Sequence, residues 1–322
     1  MEICVKICRN CYERPLLTLL NFFQANLFDL PVGRGILTGM SYLLHDKNFS
    51  GIPLNGTRIE KWLQARALQM AESTKGMQDM DISIVIRSKN DGSYIRQLFK
   101  DIDAQVFNGR IEIIMVDTSS RDDTVAFAKS QGAKVITINQ EEFTYPKALN
   151  LGFRAAKYPW VLTVVGHSNL SNRLLLRSIS YWSNRDPDLG GIYSLPLANW
   201  NASTVERFQN IIRPSVWKEP IYIKDLSLGI MGANCSAIRR QVWERFDGYD
   251  ERYAGGGEDR ALSKTMLDSN IHIVREPLCS VFHSHGLNAV NTIRQWIHWS
   301  EVANKAIPFE TAKVHRRRPD LR

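Results

Sequence analysis

Residues 111–124 read IEIIMVDTSSRDDT. A β-branched apolar run from Ile111 to Val116 stops on Asp117, and a hydroxyl-rich turn, Thr118-Ser119-Ser120, then caps a helix near Asp123 to Gln131. Upstream lie a second apolar run, Ile82 to Ile86, and an amphipathic helix near Ser93 to Gln105. Downstream come the run Lys134 to Ile138, a helix near Tyr145 to Ala156 and another buried-strand candidate, Trp160 to Val165. Strand and helix alternate, and a βαβαβ order implies parallel strands joined by right-handed crossovers. The expected class is therefore α/β, doubly wound in its N-terminal half.

Sheets of this kind bind ligands beyond the carboxyl ends of their strands. Those ends read Arg87-Ser88-Lys89-Asn90, Asp117-Thr118-Ser119-Ser120 and Gly166-His167-Ser168-Asn169, each polar directly after an apolar run. No Gly-x-Gly-x-x-Gly follows the first strand and no Walker-type Gly-Lys-Ser/Thr occurs, so hydride and ATP chemistry lose support. A carboxylate at Asp117 is placed to accept hydrogen bonds from a nucleobase or ribose; a helix N-cap is the competing reading.

Residues 1–79 read as a helical N-terminal extension, with Ile59, Trp62, Leu63, Ala67 and Met70 at helical spacing over Arg58 to Ser73. No apolar run reaches the roughly 18 residues that cross a bilayer. Pro15 to Pro31 comes nearest but is interrupted by Asn21, Gln24, Asn26 and Asp29, as in an amphipathic helix that packs on the domain or docks on a membrane. A net charge of +8 suits acidic partners such as nucleotide phosphates or anionic lipid. Part of the excess lies at Lys313, His315, Arg316, Arg317, Arg318 and Arg322, a solvated tail or a lipid contact. Cys4, Cys8 and Cys11 have a spacing shared with iron–sulfur enzymes, yet they precede an apolar helical stretch instead of following a barrel strand. Cys235 and Cys279 read as core residues. An odd cysteine count without a signal peptide favours a reducing compartment, hence a cytoplasmic protein, peripheral on the inner face of the plasma membrane where lipid is met, with no nucleic-acid partner.

Five ordered motifs resemble the family 2 glycosyltransferases of the GT-A fold: ISIVIRSKN at 82–90, IIMVDTSSRDDT at 113–124, FTYPKALNLG at 143–152, GEDR at 257–260 and VFHSHG at 281–286. They are most similar to the bacterial surface-polysaccharide, rhamnosyltransferase-like subgroup. The resemblance implies a GT-A type doubly wound mixed sheet flanked by helices over residues 80–290, then a C-terminal helix and basic tail over 291–322. It implies an inverting transfer from a UDP-, dTDP- or GDP-sugar to a saccharide or lipid-linked saccharide. In the family the Asp matching Asp117 contacts the base and the loop matching Arg87 to Asn90 holds the nucleotide. The donor-side candidates are Arg87, Ser88, Asn90, Asp117, Ser119, Lys147 and Asn150. Asn234 joins them, from a segment that resembles the family's acceptor-side strand. Trp200, Trp217 and Trp243 are offered either to sugar faces or to the core, the usual place for large aromatics.

In Gly255-Gly256-Gly257-Glu258-Asp259-Arg260 the glycines permit close backbone approach, and paired carboxylates at a helix start suit the positive end of its dipole. Inverting transfer needs a carboxylate to take the acceptor hydroxyl's proton. The resemblance gives that role to Asp259, with Glu258 bonding acceptor or backbone. The family's Asp-x-Asp metal motif is replaced by Val165-Gly166-His167. His167 with His283 or His285, the latter two read as flanking Ser284 on one face of a strand, forms the candidate set for a divalent Mn or Mg ion. Without an ion, His167, Lys147 and the other histidines carry the leaving group's charge. Two rival readings are a catalytically silent binding module of the same fold and a nucleotidyltransferase, whose Gly-rich basic loop after the first strand is missing here.

Overall fold

Alternating apolar runs become, in chain order, α1 (Arg58–Ser73), β1 (Ile82–Ser88), α2 (Gly92–Asp103), β2 (Ile111–Asp117), α3 (Thr124–Ser130), β3 (Lys134–Thr137), α4 (Tyr145–Ala155), β4 (Trp160–Val165), β5 (Asn169–Leu170), α5 (Leu175–Arg185), β6 (Leu189–Tyr193), β7 (Ile221–Tyr222), β8 (Cys235–Arg239), α6 (Arg240–Arg245), α7 (Glu258–Asp268), β9 (His272–Arg275), β10 (Val281–Phe282) and α8 (Ala289–Ala306). This computed structural model describes residues 58–199, 202–204, 206–207, 218–226 and 228–306. The three N-terminal cysteines, the 15–31 stretch, Trp200, Trp217 and the basic tail lie outside the described residues.

Eight strands form one mixed sheet in the order β3-β2-β1-β4-β8-β6-β9-β7. β1 runs parallel to both β2 and β4, and β8 enters antiparallel between β4 and β6. Side chains of β1 alternate between two cores. Ile82, Ile84 and Ile86 face α2 and α5, packing with Leu98, Phe99, Leu176 and Ile179. Val85 faces the other way, toward Leu149 and Phe153 of α4 and Met266 of α7. On that second face α4 lies so close to β1 that a Cβ on Gly152 would come within 2.3 Å of Val85 Cγ1. Apolar side chains fill both faces, so polar groups gather where the strands end. Cys235 and Cys279 are buried, and Trp243 is core, stacked on Phe153.

One expectation needs correcting. β10 ends at Phe282, its two residues paired antiparallel with the two of β5. His283 and His285 therefore lie past a strand and not along one. They are held instead through their backbone N–H groups, that of His283 donating to Leu197 O at 2.8 Å and that of His285 to the Glu206 carboxylate, Oε1, at 2.8 Å.

Helix α1 is fastened to the segment ahead of β10. Arg66 donates from Nε and Nη2 to the two oxygens of Glu276, at 3.1 and 2.6 Å, and the pair is 7% and 0% exposed. Trp182 Nε1–H also donates to Glu276, at 2.6 Å. Removing one partner of a buried ion pair leaves a charge with no compensation. Arg66→Ala is expected to cost about 3–5 kcal/mol, read from the midpoint of urea unfolding; a shift within the error of the wild-type curve would contradict this attachment.

Candidate active site

A cavity of about 680 Å³ opens at the carboxyl ends of β1 and β4. Arg87, Ser88, Lys89 and Asp91 form one wall, with Thr118 from the loop after β2. Gly232, Ala233 and Asn234, which lead into β8, also line it, with the turn Gly256-Gly257-Glu258-Asp259, whose Asp259 carboxylate accepts from the backbone of Ala233. His167, His283 and His285 close one side, and α8 adds Gln295, Trp299 and Val302.

Glu258 and Asp259 occupy the first turn of α7, reached through Gly256 at φ +119° and Gly257 at φ +95°. L side chains rarely adopt such angles, and a Cβ on Gly256 would also lie 2.8 Å from the Trp299 ring. Burial raises the proton affinity of both carboxyls. The charge of Asp259 lifts Glu258 further, to about 7, while Arg87 pulls the other way on each. Arg87 is itself drawn down by burial, opposed first by the charge of Glu258. Its Nη2 donates to Ala233 O at 3.2 Å, and its guanidinium sits 5.3 Å from the centre of the Tyr145 ring. Arg87 Nε and Glu258 Oε2 are buried and make no hydrogen bond to any described residue.

The imidazoles converge. His167 Nε2 lies 3.0 Å from His283 Nε2, and one ring nitrogen from each of His167, His283 and His285 lies within 4.8 Å of the others. Burial and the neighbouring histidines hold the His283 pKa down to about 3 and lower that of His285. An imidazole nitrogen can ligate a metal, and three rings gathered in this way make a donor set for a divalent transition ion. Behind His167, Asp91 Oδ1 stands 3.3 Å from Nδ1.

Other expected donor residues sit behind this wall. Asn90 N–H donates to Ser120 Oγ and Asn90 Oδ1 accepts from Arg121 N–H, both at 2.8 Å. Asp117 Oδ2 accepts from Ser120 N–H at 2.9 Å, and Ser119 Oγ–H donates to Ile138 O at 3.0 Å. These bonds shape the turn that brings Thr118 to the cavity. Lys147 and Asn150 do not line it. Lys147 pairs with Glu142 at 3.0 Å. Asn150 is buried, giving Nδ2–H to Tyr249 O and taking Tyr249 N–H and Trp243 Nε1–H on Oδ1.

Residues 83–246, half of the chain, match the family model Glycosyl transferase family 2. The chain belongs to glycosyl transferase family 2. Among solved structures, this glycosyltransferase is similar to mannosyltransferase PcManGT from Pyrobaculum calidifontis in complex with GDP-Man and Mn2+, with a TM-score of 0.52 at 15% identity over 76% of each chain. It is also similar to S. aureus TarS 1-349 in complex with UDP, with a TM-score of 0.51 at 14% identity over 71% of this chain and 67% of that one. Both likenesses speak to the GT-A fold. No curated protein matches. Among the described residues no helix is long and apolar enough to cross a membrane.

Asp91 and Trp299 are cavity residues that the motifs do not announce. A signal for Asp91 lay in Gly166, where a Cβ would sit 2.3 Å from Asp91 Oδ2. Trp299 lies on α8, beyond the matched region, and carries no motif.

The carboxylate pair makes a stability prediction. A carboxyl whose proton affinity is raised by folding contributes stability below its ordinary value of 4.5, and that contribution is lost as pH rises through about 7. Glu258→Gln has no proton to lose. Its melting point should exceed the wild type's at about pH 8, by on the order of 1–3 kcal/mol of stability, with the gap closing near pH 4. A variant less stable than wild type at the higher pH would refute the assignment.

Proposed function

We propose that this glycosyltransferase transfers a hexosyl or deoxyhexosyl group, with inversion, from a nucleoside diphosphate sugar to a saccharide or lipid-linked saccharide, as in surface-polysaccharide assembly, and that Asp259 is the base. One observation carries this reading. A single cavity holds a carboxylate pair with raised proton affinity on one wall and, around it, the Arg87 cation and three imidazoles. Its volume falls within the range usual for small-molecule sites. The GDP-Man and UDP bound by PcManGT and TarS support a nucleotide donor.

Transfer is a single displacement. The acceptor hydroxyl oxygen bonds to the anomeric carbon as that carbon's bond to the diphosphate oxygen breaks, so the configuration inverts. The hydroxyl proton passes to Asp259, whose raised affinity suits a group that must hold it. Oδ1 of Asp259 accepts from Arg260 N–H at 2.7 Å, which orients the carboxylate. Glu258, with Oε2 uncommitted, bonds the acceptor. Arg87 and Lys89 oppose the charge that grows on the departing diphosphate, where a low-dielectric wall strengthens the attraction. The turn built by Asn90, Asp117 and Ser119 receives the nucleoside, and Asn234 meets the sugar. A divalent ion on His167, His283 and His285 supplies further neutralisation of the diphosphate when bound.

Asp259→Asn keeps the shape and loses the base. Transfer to a lipid-linked saccharide fraction should fall about 10²- to 10⁴-fold, while the thermal shift given by the nucleoside diphosphate persists. The product released should be nucleoside diphosphate. Near-normal turnover would remove Asp259 from its role, and pyrophosphate release would overturn the reaction class.

A further inference from the structure

The donor atoms of the imidazole cluster decide which ion it takes, and the argument rests on the donor reading above only in placing that ion beside a diphosphate. Magnesium takes oxygen ligands in a tight octahedron, and manganese likewise favours carboxylate, carbonyl and water. The position that offers an oxygen in Asp-x-Asp is Val165 here, an apolar residue 8% exposed. The carboxylate beside His167, that of Asp91, is already engaged. Its Oδ2 accepts from Ser88 Oγ–H at 2.8 Å and Lys89 N–H at 3.2 Å, and its Oδ1 faces Nδ1 of His167. Nδ1 of His167 stands 3.3 Å from that Oδ1, and its Nε2 lies 3.0 Å from Nε2 of His283. Two nitrogens bound to one zinc at about 2.0–2.1 Å stand roughly 3.3 Å apart across a tetrahedron. The observed separation is close to that bite, and His285 supplies a third nitrogen.

We propose that His167, His283 and His285 form an all-nitrogen site that selects a divalent ion of the zinc and cobalt class over magnesium and manganese, with Asp91 as the positioning residue that fixes His167. Gly166 is part of the device, since any larger residue would displace the Asp91 carboxylate.

Cobalt tests this without activity, because imidazole-bound Co2+ absorbs in the visible. Chelator-treated full-length protein is titrated with Co2+. One equivalent should develop the band, one equivalent of Zn2+ should remove it, and about a hundredfold excess of Mg2+ or Mn2+ should leave it unchanged. His283→Ala and, at an exposed position, His285→Ala should each weaken cobalt binding at least tenfold. Asp91→Asn should weaken it about 10- to 100-fold and shift the band, with little change in melting temperature. No band in the wild type, displacement by Mg2+ or Mn2+, or a band unaltered in both histidine variants would overturn the proposal. Thermal shifts with UDP, dTDP and GDP on the same metal-free protein read the donor site separately. Nucleotide binding without a cobalt band refutes the ion site alone, with the imidazoles then meeting phosphate directly. A cobalt site without nucleotide binding refutes the donor reading and leaves the ion site standing.

Discussion

Strand β1 must be held in register on both of its edges, and the rim of the site depends on it. Arg87 lies opposite Val116 on one side and Val165 on the other, and Ser88 lies opposite Asp117. Both ladders continue past the strand ends, with Thr118 N–H donating to Ser88 O at 2.9 Å and Gly166 N–H to Arg87 O at 2.8 Å. Three loops therefore depart from fixed points within one layer of the sheet. A slip of one residue would turn Ile82, Ile84 and Ile86 out of their core, so apolar burial on two faces enforces the alignment that the polar rim needs.

What gathers at that rim is charge in a poorly solvated place. The two carboxyls are pushed toward their neutral forms by burial, and Arg87 is pushed in the same sense. The two histidines past β10 are held neutral. Every shift reduces the charge that the folded protein must bury. Such a cluster opposes folding and is retained where chemistry uses it, because each group then responds to a ligand of the opposite sign. An anion beside Arg87 would favour its charged form, and a proton donor beside Asp259 would favour its neutral one.

The sequence revealed the parallel half of the sheet in detail and the remainder poorly. Helix α1 ends at Ser73 and strand β4 spans Trp160 to Val165, as their apolar patterns do. Here the period of each run is long enough to be unambiguous. By contrast, β7 and β10 are two residues long and carry no periodic signal, and nothing in Cys235 to Arg239 says that β8 enters antiparallel between β4 and β6. The site divides in the same way. Residues at a strand's carboxyl end, just past one or at a helix start, such as Arg87, His167 and Glu258, reach the cavity because backbone position alone sends them there. Asn150, inside an amphipathic helix, faces the loop around Tyr249 and clamps it. A polar residue on a buried helix face serves a loop or a ligand equally well, and only the neighbouring chain decides.

The replacement of Asp-x-Asp by Val165-Gly166-His167 is better understood as a redistribution than as a loss. A carboxylate is still present beside His167, but it arrives from the neighbouring loop, as Asp91, whose backbone carbonyl also accepts from Tyr94 N–H at 2.8 Å at the start of α2. For that carboxylate to lie where it does, residue 166 must have no side chain, since its Cβ would meet Asp91 Oδ2 at 2.3 Å and Ser88 Oγ at 2.7 Å. Glycine, aspartate and histidine thus meet at one place: the glycine makes room for the carboxylate, the carboxylate stands beside one ring nitrogen of His167, and the other ring nitrogen lies against His283. An aspartate at 165 would leave the imidazole cluster in being, so the donor set of the proposed ion site belongs to three loops together and not to the one motif.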